Sequence, residues 1–231
     1  MQSSSQNNCS RKRRKGSRKN RRRVIRMRLM AVAAVMLLVL LVYTMVSVAH
    51  YVKAPKKVLT QPDLDVELLD INEYSRPGIA LNQVNGIVIH YTANPGTTAM
   101  QNRNYFNGLK DSHETKASSH FVIGLEGEIV QCIPTSEISY ASNDRNADTV
   151  SIECCIEDDT GKFNDDTYES LLELTTFLMG KFDLDTEDVI RHYDVTGKNC
   201  PKYYVEHQDA WEQFKVDLED YIEKYGEKVV E

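Results

Sequence analysis

No acidic residue occurs before Asp63, and no charge of either sign lies between Leu29 and Ala49. The first absence means that the net charge of −6 describes no single part of the chain. Residues 11 to 28 hold twelve of the 28 Lys and Arg, and the chain from residue 29 onward carries 16 basic against 34 acidic side chains, a balance of −18. The second absence excludes Leu29 to Ala49 as a solvated surface: these 21 residues are long enough to span a bilayer core as a helix. No internal repeat is present, which excludes a repeat architecture. Prolines are few, six in all, and three of them (Pro55, Pro62, Pro77) fall between residues 50 and 77.

These features divide the chain. Residues 1–28 read as a basic tail retained in the cytoplasm, because Lys and Arg beside a span stay inside. Residues 29–49 read as a transmembrane anchor, and everything after His50 is then expected outside a cell membrane that the chain crosses once. A cleaved signal peptide is the rival, since Ser47-Val48-Ala49 resembles a small-residue cleavage site. Against it, the apolar run exceeds the usual h-region of about 7–15 residues. A basic block abutting a span is a topology signal, so no nucleic-acid partner is expected. Residues 50–77 read as a tether and N-terminal arm, and 78–231 as one domain.

Within that domain, Gly86-Ile87-Val88-Ile89-His90-Tyr91 is an apolar, β-branched run expected as a buried strand. Thr97 to Lys110 is expected to be helical, capped by Thr97 or Thr98 and leaving near Gly108. Ser119–Gly124 and Glu128–Ile133 read as a hairpin about Leu125-Glu126-Gly127, and Thr149–Ile156 and Val189–Tyr193 as further strands. Asn164 caps a helix whose buried stripe is Tyr168, Leu171, Leu172, Thr175, Leu178 and Met179. A last helix, from about His207 to Tyr225, puts Trp211, Phe214, Leu218 and Ile222 on one face. Strands and helices alternate, so the expected class is α/β, a mixed central sheet flanked by helices after a single N-terminal transmembrane helix.

Chemistry-bearing residues cluster at element ends. His90 and His192 each come after a short apolar strand, and Cys200 lies eight residues beyond His192, after Thr196-Gly197 and before Pro201. Two imidazoles and a thiolate with an open fourth position describe a catalytic zinc site. The competing reading is two satisfied core histidines. Glu153 stands alone among apolar or small strand residues, a poor place for a carboxylate without a task, unless its strand is an edge facing solvent. Lys198, two residues before Cys200, is either held at the site's rim or a solvated loop lysine. His120 is read as structural, because a site that admits substrate keeps one position open. His113 is read as solvated.

His90-Tyr91-Thr92, Ser118-Ser119-His120-Phe121, Ser151-Ile152-Glu153 and Arg191-His192-Tyr193-Asp194-Val195-Thr196-Gly197-Lys198-Asn199-Cys200-Pro201 occur in that order. Together they resemble the N-acetylmuramoyl-L-alanine amidases of the amidase-2 type, which are related to phage amidases and peptidoglycan recognition proteins. Tyr74-Ser75-Arg76-Pro77-Gly78 and Asn104-Tyr105-Phe106 are similar to the branch found in Gram-positive bacteria and their phages. The resemblance covers roughly residues 70 to 220. It implies Zn2+ at His90, His192 and Cys200, Glu153 and Lys198 as catalytic side chains, and a peptidoglycan or muropeptide substrate. It also has departures: Ser119 stands where some relatives carry tyrosine, and Ser139-Tyr140-Ala141-Ser142 stands where many have Trp-His-Ala-Gly.

Two other functions compete with hydrolysis. A non-catalytic peptidoglycan-binding module of the same fold would be favoured by loss of a ligand, and all three are present. A membrane-tethered scaffold for envelope proteins predicts no metal and no lytic activity. Protein partners are not specified by the sequence. Cys132, Cys154 and Cys155 fall in strands of an exported domain, where a disulfide is permitted. Cys154 and Cys155 face opposite ways, so only one can meet Cys132; buried free thiols are the preferred reading.

Overall fold

The structure is a computed structural model that describes residues 4–53 and 55–229, and it divides into an N-terminal unit up to Pro55 and a compact unit, Lys56–Val229. The first unit is one helix, α1 (Ser4–Lys53). Its stretch Lys19–Ala49 is long and apolar enough to cross a membrane, and no part of that stretch is buried by protein.

The compact unit is built on a six-stranded sheet. Its strands are β2 (Asp65–Val66), β3 (Ile87–Tyr91), β4 (Phe121–Ile123), β5 (Ile129–Gln131), β6 (Val150–Cys154) and β7 (Val189–Arg191), in the order β2-β5-β4-β6-β3-β7. All neighbours are parallel except the β4–β5 hairpin, so the sheet is mixed. Gly127, at φ +78°, turns that hairpin, and a Cβ there would lie 2.8 Å from Ser170 Oγ. A separate two-stranded ribbon pairs β1 (Lys56–Lys57) with β8 (Glu227–Lys228). Of the stretch expected as tether and arm, residues from Lys56 onward lie on the domain, with Val58, Leu69 and Ser75 buried.

Strand alternation sorts the sheet's two faces. Ile87 and Ile89 of β3, Ile152 and Cys154 of β6, and Phe121 and Ile123 of β4 enter one core with the buried faces of α3 (Asp165–Phe182) and α6 (Gln208–Tyr225). Leu171, Leu174 and Leu178 of α3 and Trp211, Phe214 and Leu218 of α6 form that layer, and each fully buried aliphatic contributes about 2 kcal/mol. Tyr168 and Leu172 are half-buried at its margin, while Leu174, outside the expected stripe, is fully buried. Asn164 caps α3, its side chain accepting from the Thr167 N–H. On the other face Val122, Val130, Cys132 and Cys155 pack with Ala99 and Phe106 of α2 (Ala99–Ser112). Cys132, Cys154, Cys155 and Cys200 are all buried free thiols.

Two element ends differ from expectation. Thr98 caps α2 in a box with Gln101, but the helix runs past Gly108 and stops at His113, which takes the left-handed conformation and stacks on Tyr74 at 4.4 Å. β7 stops at Arg191, not Tyr193. The Asp194 carboxylate accepts from the Arg191 backbone N–H at 2.8 Å and from its guanidinium, which starts a short helix, α4 (His192–Thr196).

Candidate metal and catalytic site

β3 and β6 pair so that His90 lies beside Glu153. Both therefore point away from the face carrying Ile89 and Ile152. His192 opens α4 at the end of neighbouring β7, and Gly197, at φ +77°, ends that turn and sends the chain back. The return is fixed by the Tyr193 N–H donating to the Cys200 carbonyl at 2.9 Å, which sets Cys200 beside the histidines. One ligand atom from each of His90, His192 and Cys200 falls within 4.8 Å of the others, and all three residues are buried. The histidine rings lie 4.7 Å apart at 62°, and His90 Nδ1 is 3.8 Å from Cys200 Sγ.

The loop before β6 turns at Asn143, which has φ +51°. Ser142 Oγ lies 3.2 Å from His90 Nε2, and Asn143 Oδ1 lies 3.0 Å from His192 Nε2. The Asn146 side chain holds this turn, its Oδ1 accepting from the N–H groups of Ala141 and Ser142. With Asn143 Oδ1 as acceptor, the contact is satisfied by the His192 tautomer protonated on Nε2, which leaves Nδ1 as a bare lone pair. That Nδ1 is buried and has no hydrogen-bond partner. Such a group is costly to bury unless something electropositive meets it. A cation shared with His90 Nδ1 and Cys200 Sγ satisfies it, so the residues fit a metal ion held by two nitrogens and a sulfur.

The electrostatics agree with that fit. Burial first, then the charges of His192 and Lys198, holds His90 well below its ordinary range. Burial and Lys198 also lower His192, so both imidazoles stay neutral and able to ligate. Burial, with Glu153 adding to it, pushes the Cys200 thiol up to about 12. It gives up its proton only to a strong positive charge beside it. Burial likewise pushes the Glu153 carboxyl up to about 8, with Lys198 pulling the other way. Glu153 as a residue is only half-buried, but its Oε2 is enclosed and lacks a hydrogen-bond partner.

His90, Glu153, His192 and Lys198 line one cavity of about 360 Å³, whose walls also include Lys116, Tyr140, Asn143 and Asn146. Lys198 is exposed at its edge. His120 stands apart from the cluster, buried between Ser151 and the Glu137 carbonyl, as expected of a structural histidine. Sequence reasoning did not find Ser142, Asn143 and Asn146. A signal was present, because Ser142-Asn143-Asp144 is turn-forming and Asn tolerates the left-handed region. Asn143→Gly keeps that backbone accessible while removing the contact to His192. It is expected to weaken metal affinity about 10- to 100-fold in a chelator competition without changing the stoichiometry. Unchanged affinity would leave Asn143 as a turn residue only.

An α/β sheet whose two imidazoles and enclosed carboxyl line an open cavity, with a buried thiol beside the imidazoles, has the layout of a metal-assisted hydrolase. Residues 80–203 match the N-acetylmuramoyl-L-alanine amidase family, and the chain belongs to that family. It is 35% identical over 173 residues to the N-acetylmuramoyl-L-alanine amidase CwlL of Bacillus licheniformis, covering 69% of this chain and 47% of that protein. It is 34% identical over 168 residues to the amidase BlyA of Bacillus subtilis (strain 168), covering 64% and 44%. The chain thus spans less than half the length of these relatives. Among solved structures, the catalytic domain of XlyA superposes with a TM-score of 0.57 at 26% identity, covering 68% of this chain and 99% of that one. PlyL shares the fold, with a TM-score of 0.59 at 20% identity over 68% of this chain and 97% of its own.

Proposed function

We propose that this protein is a zinc-dependent amidase that cleaves peptidoglycan between N-acetylmuramic acid and the L-alanine of the stem peptide. The observation that carries this reading is the His90, His192, Cys200 cluster, whose two histidines line one cavity with Glu153, in a chain of this family. Zinc held there supplies Lewis acidity toward the amide carbonyl and the attacking water, and a positive charge that brings Glu153 down into its ionised form. Glu153 then takes the proton of the attacking water and hands it to the departing alanine nitrogen. Lys198, at the cavity's edge, offsets the negative charge that develops on the carbonyl oxygen. Ser142 and Asn143 keep the two imidazoles oriented through their Nε2 atoms. Digestion of cell walls tests the reading directly: new alanine amino termini should appear while the glycan stays intact.

We also propose that residues 29–49 anchor the enzyme in the cell membrane, with the basic residues 1–28 inside and the domain beyond the arm outside. The single apolar helix supports this. Beyond residue 28 the chain carries −18, so anionic wall polymers repel it and electrostatic retention at the wall fails. The anchor instead keeps the domain at a raised effective concentration near its substrate. Replacing residues 1–49 with an export signal is expected to release the protein into the medium, with activity on soluble muropeptides intact. Lowering the salt should not restore wall binding, because weaker screening here strengthens only repulsion. Co-sedimentation of the truncated form with purified walls, equal to that of the full chain, would refute the charge argument.

A further inference from the structure

The charged side chains of the cavity are mainly cationic, unlike those of the chain beyond residue 28 taken as a whole. The chain beyond residue 28 is strongly acidic, yet the charged side chains lining the cavity are Lys116, Lys198 and the enclosed Glu153. Lys198 belongs with the reacting groups. Lys116 does not, and its setting is specific. Its Nζ lies 5.9 Å from the centre of the Tyr74 ring and 5.6 Å from that of Tyr140, both within cation–π range. Tyr74 is in turn braced by the His113 ring stacked on it at 4.4 Å.

The backbone around Lys116 is fixed to both tyrosines. The Ala117 N–H donates to the Tyr74 carbonyl at 3.1 Å, and the Ser118 N–H donates to the Tyr140 carbonyl at 3.1 Å. The Tyr140 N–H returns a bond to Ser118 Oγ at 2.9 Å. Among the described residues Lys116 forms no ion pair. An exposed ammonium on a cavity wall, set over two tyrosine rings and without a carboxylate of its own, is free to pair with an anion that enters the cavity. A peptide substrate supplies that charge as a free carboxylate.

We propose that Lys116, set between Tyr74 and Tyr140, is a specificity residue that receives a free carboxylate of the stem peptide, so that stems bearing this group are preferred to stems in which it is amidated. The inference rests on the amidase reading and adds the substrate class to it. A carboxamide keeps the shape of the group but loses its charge, which leaves the lysine without an anion.

The test uses the full chain in detergent and pairs of N-acetylmuramoyl peptides that differ only in a free carboxylate or carboxamide, at the second stem residue in one pair and the third in the other. For one pair the free acid is expected to have about a five- to tenfold higher kcat/KM. Lys116→Gln should bring the two members of that pair level, whereas Lys116→Arg should keep the preference, and added salt should shrink it. Equal rates within both pairs for the unaltered protein would overturn the proposal. So would a Lys116→Gln variant that slows both members by the same factor. If neither form is cleaved, the amidase reading has failed, and calorimetric binding of the same pairs decides the subsite. Tighter binding of a free acid that is lost in Lys116→Gln upholds it, and equal or absent binding overturns it.

Discussion

Cys200→Ser and His192→Ala are each expected to remove both the metal and the lytic activity, lowering turnover on the order of 10³-fold or more. The set is two nitrogens and one sulfur whose ligand atoms lie within 4.8 Å of one another. A three-ligand site with an open fourth position has no spare donor, so two remaining ligands hold a divalent ion poorly. Serine in place of Cys200 offers a neutral hydroxyl that does not ionise near neutral pH. In His192→Ala the Asn143 amide also loses its partner. Metal analysis after dialysis, together with release of alanine amino termini from walls, measures both effects. Folding can be separated from ligation, because added zinc should raise the melting temperature of the unaltered protein by binding only the folded state. It should leave both variants unmoved, and their melting in chelator should stay near that of the unaltered protein under the same conditions. Full zinc occupancy in both variants would remove the cluster as the metal site.

What the sequence made legible here tracks the range of the interactions involved. The strand at Ile87–Tyr91 could be read from its own β-branched residues, and the helix at Asp165–Phe182 from its cap and apolar spacing. His90, His192, Cys200, Lys198 and Glu153 could each be nominated from local chemistry. The pairing that sets His90 beside Glu153 could not, because the register of β3 on β6 is fixed by packing between segments distant in sequence. The same limit hid Ser142 and Asn143, whose roles depend on which ring nitrogens they meet. It also hid Lys116, because nothing local shows two tyrosine rings beside its ammonium. The ribbon of Lys56–Lys57 with Glu227–Lys228 has only two residues a side, too few to show any alternation. His192 shows a local competition: the β-branched run argued for two more strand residues, His192 and Tyr193, but Asp194 captured the Arg191 N–H and turned the chain into a helix.

Glu153→Gln is expected to move activity and stability in opposite directions. Turnover should fall by about 10²-fold or more, since glutamine can neither accept the proton of the attacking water nor deliver one to the leaving nitrogen. Metal content should stay near one ion per chain, because Glu153 is outside the ligand set. Stability of the metal-free protein should rise. Burial holds the Glu153 carboxyl up at about 8 in the folded chain, against an ordinary value of 4.5. Between those two pH values the unfolded chain has released a proton that the folded chain retains, so stability falls as pH rises through that window. Below it both states are protonated and the penalty is absent; above it both are ionised and the penalty is complete. At pH 7 this cost is on the order of 3 kcal/mol, and glutamine, of the same shape and uncharged, does not incur it. In chelator, the variant should therefore melt higher than the unaltered protein at pH 7.5, and by a clearly larger margin than at pH 5. A folding defect cannot produce this pattern, because it would lower activity and melting temperature together. Near-normal turnover in Glu153→Gln would move the base elsewhere, with Lys198 the first residue to re-examine. A melting difference that ignores pH would show that Glu153 is ionised in the folded protein without strain.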